Sequence, residues 1–134
     1  MKNISKYKKY NTLEVICADR SSDSVISEFI LLLKKRFFDN DIPVFIYREE
    51  FVHENGDVKS GFVVSCRQTQ NAKSLKLFEI CLEASEKSHK IFFDIYTAKQ
   101  FFDYENELSN RGAQLFEKTI RCILEIFRKF LKMV

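Results

Sequence analysis

Residues 71–88, NAKSLKLFEICLEASEKS, decide how the rest of the chain is arranged. Leu75, Phe78, Cys81 and Leu82 recur at helical spacing, with Lys76, Glu79, Glu83 and Lys87 opposite them, so the stretch reads as a helix with one apolar face. Glu83 and Lys87 stand four apart on its wet side, the spacing of a helical ion pair. Extended segments flank it on both sides, which makes it the second helix of a strand and helix alternation.

Upstream, two alternating segments surround Asn55-Gly56, the dipeptide preferred by a two-residue type I′ hairpin. With Glu54 facing Asp57, the register pairs Phe45 with Cys66, Tyr47 with Val64, Glu49 with Phe62, Phe51 with Ser60 and His53 with Val58 on one apolar face. The other face pairs Ile46 with Ser65, Arg48 with Val63, Glu50 with Gly61 and Val52 with Lys59, a more polar set. A one-sided hairpin of this kind belongs to an antiparallel sheet with one wet face. Glu49 then lies opposite Phe62, where an unpaired carboxylate is costly, so it requires a partner or an edge.

Before the hairpin, Leu13–Ala18 alternates as a first strand. The turn Asp19–Ser24 offers N-caps to a helix carrying Val25, Ile26, Phe29, Ile30, Leu33 and Phe37 on one face. That helix ends around Asp39-Asn40, ahead of Pro43. After residue 88, Ile91, Phe93 and Ile95 alternate with Phe92, Asp94 and Tyr96 as a fourth strand. Thr97-Ala98-Lys99-Gln100 reads as a capping box opening a short helix with Phe101, Phe102 and Tyr104. From Ser109 to Val134, Phe116, Ile120, Ile123, Phe127, Phe130 and Val134 keep one stripe of a long helix apolar.

This order predicts an α+β chain with a ferredoxin-like split βαβ (βαββαβ) antiparallel sheet and an added long C-terminal amphipathic helix. The alternative is a three-layer α/β sheet with its first and last strands parallel. The terminal helix lies either across the wet face, on Ile16, Ile46, Val63, Phe92 and Tyr96, or beside the other helices. Residues 1–11 form a basic N-terminal arm and residues 12–134 a single domain, long enough for a core without staples.

The predicted order also resembles that of the RNA-recognition motif, and Lys59–Cys66 (KSGFVVSC) resembles that family's third-strand signature. Gly61 and Phe62 take the places of its glycine and first stacking aromatic; Val64 stands where the second aromatic belongs, and Glu14 where the first strand offers another. The resemblance implies binding of single-stranded RNA by stacking.

Composition limits the function classes. Fourteen Phe and five Tyr against three Gly and one Pro describe a compact, aromatic chain rather than a disordered one. Cys17, Cys66, Cys81 and Cys122 stand apart in apolar surroundings without metal-ligand spacing and read as buried reduced thiols. The basic start lacks the apolar run of a signal peptide, and no segment approaches the ~20 apolar residues of a membrane span, so a cytoplasmic location is expected. The net charge of +3 is concentrated at the ends: Lys2, Lys6, Lys8 and Lys9 face no acid within residues 1–11, and without them 18 basic residues meet 19 acidic ones.

Catalytic chemistry has little to draw on, since His53 and His89 are the only histidines and no glycine-rich phosphate loop is present. One polar cluster is predicted, in which Asp19, Arg20, Ser21 and Ser22 approach His53 and Glu54 at a helix N-terminus suited to an anion. No cofactor or metal is expected.

The function expected is a non-catalytic protein–protein interaction module, of subunit, adaptor or inhibitor type. It binds through an aromatic sheet face or the C-terminal helix, with Ile46, Val63, Phe92, Tyr96, Phe127 and Phe130 as contacts. A second copy of the chain is one candidate partner. The alternative is nucleic-acid binding through Lys6, Lys8, Lys9, Arg121, Arg128 and Lys132.

Overall fold

In the computed structural model, residues 1–17, 19–70, 73–98 and 107–133 are described. Their elements are β1 (Lys2–Asn3), a 3₁₀ turn (Ile4–Lys6), β2 (Tyr7–Ile16), α1 (Ser22–Asp39), β3 (Val44–Val52), β4 (Val58–Gln70), β5 (Lys73–Lys87), β6 (Lys90–Ala98) and α2 (Glu107–Met133). The six strands form one mixed sheet in the order β1-β3-β4-β5-β6-β2, with β1 parallel to β3 and the other pairs antiparallel.

The ferredoxin-like plan does not hold, because residues 73–87 are a strand and not the second helix. Phe78, Ile80 and Leu82 alternate onto one face, and Glu79, Cys81 and Glu83 onto the other. Residues four apart share a face in a strand as well as in a helix, so the spacing of Glu79 and Glu83 fits both readings. What hid the strand is the adjacent apolar pair Leu77-Phe78, which breaks strict alternation. The register shifts there, Cys66 pairing with Phe78 and Arg67 with Lys76, and the bulge sends both Leu77 and Phe78 into the same core.

The three-layer alternative fails too. Both helices lie on one face of the sheet and share a single core with it. Phe29 of α1 stacks on Phe93 of β6 at 4.7 Å between ring centroids and meets Phe127 of α2 edge-on at 6.5 Å. Phe116 of α2 stands edge-on to Phe78 at 5.5 Å. The long terminal helix therefore takes its place beside α1 and spends its apolar stripe, Phe116, Ile120, Ile123 and Phe127, inside its own protomer.

The ends of α1 follow from local chemistry. Ser21 caps its start by accepting the Ser24 N–H at 3.2 Å. At the other end the Asp41 N–H reaches the Phe38 carbonyl at 3.1 Å and the Ile42 N–H the Phe37 carbonyl at 2.9 Å, a Schellman stop with Asp41 left-handed at φ 53°. Ile42 and Phe37 meet in the core, and Pro43 keeps the chain extended into β3.

The β3–β4 hairpin is displaced by one residue from the expected register. Val52 pairs with Val58 and Tyr47 with Val63, so His53–Asp57 closes as a three-residue loop with Gly56 left-handed at φ 89°. The Gly56 N–H donates to His53 and the His53 N–H to Asp57, each at 2.9 Å, while Asn55 Oδ1 accepts the Asp57 N–H. A slip of one residue moves every partner of β3 to the opposite face of β4. Ile46, Arg48 and Glu50 thus oppose Val64, Phe62 and Ser60 on the helix side, and Phe45, Tyr47, Glu49 and Phe51 oppose Ser65, Val63, Gly61 and Lys59 on the second side. The two-residue hairpin is instead β5–β6, where Ser88 and His89 both take positive φ (54° and 63°) between paired Lys87 and Lys90.

Residues 1–11 do not form an arm apart from the domain. They make β1, the 3₁₀ turn and the first half of β2, and they cross the second face of the sheet. Six strands side by side leave five gaps of ~4.8 Å, about 24 Å from edge to edge. Asn3 in one edge strand and Tyr7 in the other are only four Cα steps apart, at most about 15 Å. The sheet must therefore curl around this crossing, and Ile4 fills the hollow against Phe51, Val63 and Cys81, with Tyr7 and Tyr96 packed beside them.

Thr97 belongs to β6 rather than to a capping box, and the short helix expected at Phe101, Phe102 and Tyr104 falls outside the described residues.

Candidate functional site

The second face holds two buried carboxylates on one strand. Glu79 and Glu83 are each 1 % exposed, and Cys81 lies between them. Glu79 receives the Tyr7 hydroxyl at 2.6 Å and Lys2 Nζ at 3.1 Å on Oε1, and Lys76 Nζ at 2.6 Å on Oε2. Burial acts to raise its pKa, but the hydrogen bonds from Lys76, Tyr7 and Lys2 together outweigh it and hold the carboxyl below the ordinary range. The same pairing leaves Lys2 raised despite its own burial, and burial together with Glu79 raises the Tyr7 phenol. Burial pushes the Cys81 thiol up to about 12 and the Tyr96 phenol to about 12, with Glu79 adding to the first and Glu83 and Asp94 to the second.

Glu83 holds His53 Nε2 at 2.7 Å on Oε2 and has Lys59 Nζ at 3.8 Å from Oε1, which makes no hydrogen bond. The arrangement ties the mouth of the β3–β4 loop to the middle of β5. Glu49 finds a partner in the terminal ammonium of Met1 at 3.6 Å, and Gly61 stands opposite it in place of the expected Phe62. On this face Glu79, Glu83 and Glu49 are each held by residues from other parts of the chain, Lys2 and Tyr7, His53, and Met1 in turn.

The anion cluster predicted at Asp19–Ser22 does not assemble with His53. Ser21 caps α1, Arg20 binds Glu28 and Ser24, and His53 is held by Glu83. His89 is exposed in the turn between β5 and β6. Among the described residues no group of three or more His, Cys, Asp or Glu is placed to hold a metal ion. No helix among them is long and apolar enough to cross a membrane.

The residues predicted to bind a partner are spread across the molecule. Val63 is fully buried and Tyr96 partly buried in the second-face cluster; Phe92 is partly buried on that face; and Phe127 is in the main core. The Phe130 side chain falls outside the described residues. Ile46 lies at a rim, half-buried beside Phe38 and Phe45. The basic residues lie on three elements. Lys6 ends the 3₁₀ turn, Lys8 and Lys9 sit on β2 with Lys9 paired to Asp94 at 3.3 Å, and Arg121 and Arg128 are exposed on α2, where the Lys132 side chain lies beyond the described set. The stacking face implied by the RNA-recognition resemblance is missing as well: Phe62 is buried on the helix side, with the Arg48 guanidinium 5.9 Å above its ring.

What sequence reasoning did not find is the condition of the two sheet edges. The β2 edge carries Lys8 and Lys9, an irregularity between Lys9 and Asn11, and an Asn11 side chain that takes the Thr12 N–H at 2.8 Å. Those are the devices that discourage a strand from docking. At the other edge β1 pairs only with Phe51 and Val52, leaving Val44–Glu50 without a neighbouring strand on its outer side among the described residues.

The hydrogen bond from His53 to Asp57 sets the phase of β3. Phe45, Tyr47, Glu49 and Phe51 turn their backbone groups toward β4, and Val44, Ile46, Arg48 and Glu50 turn theirs outward. The Val44 N–H is taken by Ile42 and the Glu50 N–H by Glu49 Oε1, so Ile46 and Arg48 present the open donors. Beside them Phe38 is 83 % exposed and Phe45 67 %, and with Lys34, Phe37, Ile42, Val44 and Ile46 they line a shallow groove at the end of α1. Phe38 was detectable in the sequence as a second phenylalanine directly after the one that completes the helical stripe.

Compared with known protein families, curated proteins and solved structures, the chain matches none.

Proposed function

We propose that this protein is a non-catalytic protein–protein interaction module that docks an extended segment along the outer edge of β3. The observation that carries the reading is the open stretch Val44–Glu50, with outward backbone groups at Ile46 and Arg48 and the exposed rings of Phe38 and Phe45 beside it. Main-chain bonds to such an edge supply affinity, and side-chain contacts on alternate residues supply selectivity. The contrast with the charged, irregular β2 edge supports the reading, because in this chain one edge is guarded and the other is not.

Phe116, Ile120, Ile123 and Phe127 of the α2 stripe are occupied within the protomer, which favours the sheet edge over the terminal helix in this reading.

The test is a selection of random displayed peptides on the immobilised protein. Peptides of alternating apolar character are expected, and Arg48→Pro and Phe45→Lys should each abolish their binding. Proline at position 48 removes an outward donor without removing a bond to β4. Recovery of no peptides, or of peptides indifferent to both substitutions, overturns the reading.

A further inference from the structure

We infer that the occupant of the β3 edge is a second copy of this chain, paired antiparallel about a two-fold axis through Ile46. The inference rests on the edge-docking reading above and goes beyond it by naming the partner. A two-fold axis perpendicular to the sheet keeps the helices of both copies on one side, so paired positions must share a face. Centring the axis on Ile46 meets that condition and falls in phase with the outward groups of β3. Ile46 then exchanges N–H and carbonyl bonds with its own copy, and the Arg48 N–H meets the partner's Val44 carbonyl, with the symmetric bond on the other side.

The side chains match in the same register. On the second face Phe45 meets the partner's Tyr47 twice over, a cross-strand aromatic pair in the closer, non-hydrogen-bonded position. On the helix face Ile46 meets its copy, and Val44 meets the partner's Arg48. In this register Arg48 and Glu50 face the partner's Val44 and the partner's Ile42, so the charged side chains flank an apolar and aromatic centre. Moving the axis to Tyr47 sets Phe45 against the partner's Glu49 and Ile46 against the partner's Arg48, and centres the contact on a residue whose backbone groups already face β4.

The experiment combines sedimentation equilibrium at micromolar concentration with disulfide trapping. The full-length protein is expected to sediment as a dimer, and Arg48→Pro and Phe45→Lys as monomers. Ile46→Cys should give a covalent dimer on mild oxidation, since facing positions in such a pair stand ~5.5 Å apart at Cα, within disulfide reach. The native cysteines are all buried and give little background. Arg48→Cys should not cross-link, because its partner is Val44.

A monomer that still captures selected peptides in a manner sensitive to Arg48→Pro overturns the second-copy inference and leaves the edge-docking reading standing. A dimer indifferent to Arg48→Pro and Phe45→Lys, and untrapped by Ile46→Cys, overturns the inference by placing the contact elsewhere. If such a protein also captures no peptides at the edge, both readings fall.

Discussion

The Tyr7 hydroxyl donates to Glu79 Oε1 at 2.6 Å, fastening the first residue of β2 to the middle of β5. Lys2, from the opposite edge of the sheet, reaches the same oxygen at 3.1 Å. One buried carboxylate thus holds the start of the chain from both sides of the crossing.

Glu79→Gln should destabilise the protein by about 2 kcal/mol at neutral pH, since it leaves Lys2 and Lys76 without their counter-charge. The pH dependence has a definite sign. The folded-state pKa of Glu79 is depressed, so its stabilisation is present above the ordinary 4.5 and is lost as pH falls through the lower folded value. Urea midpoints of the wild type and the Gln variant should therefore differ at pH 7 and converge in acid.

Gly61 sits beneath Phe51 with no space for a side chain. A Cβ there would stand 2.1 Å from the Leu82 carbonyl oxygen and 2.9 Å from both Glu83 Cα and the Phe51 ring. Two of those atoms are backbone, so relief requires β4 and β5 to separate. Gly61→Ala should cost about 3 kcal/mol, read as a fall in the urea midpoint. The resemblance to an RNA-binding signature rested partly on this glycine, whose demonstrable duty is close strand packing.

How far the sequence could be read depended on whether local signals competed. The helices were legible: Ser21 caps α1, Pro43 follows its end, and the stripe Phe116–Phe127 is buried as its spacing implied. Residues 73–87 were not, because leucine, glutamate and lysine favour helix and the doubled Leu77-Phe78 mimics its period. The misread strand cost the topology as a whole. Asn55-Gly56 marked a hairpin correctly but not its loop length, and that single residue reversed the faces of β4 against β3. The candidate edge was illegible for a different reason. Whether β3 lies inside the sheet or at its rim depends on strand order, and β1 covers only its last two residues.

Ser88 and His89 hold left-handed backbone without the glycine or asparagine that accommodates it best. Replacing the pair by Asn-Gly should raise stability by about 1 kcal/mol, measured by urea unfolding. The Cys17 N–H bond to the carbonyl at position 89, 2.9 Å long, requires only the backbone and should survive.

Ile4 is the side chain on which the crossing depends. It is 5 % exposed against Phe51, Val63 and Cys81, and nothing else in residues 1–6 is fully buried. An arm that frays in solvent tolerates any substitution there, whereas a plug in the hollow of a curled sheet does not. Ile4→Ala should lower stability by about 2 to 3 kcal/mol through lost burial and the cavity left behind. Ser5→Ala, next to it and exposed, should change stability by less than about 0.5 kcal/mol. Removing residues 1–6 should cost more than Ile4→Ala, because it also takes away β1 and the Lys2 contact with Glu79. Equal urea midpoints for the truncated and full-length chains would show that the sheet closes without its first residues and would refute the plug.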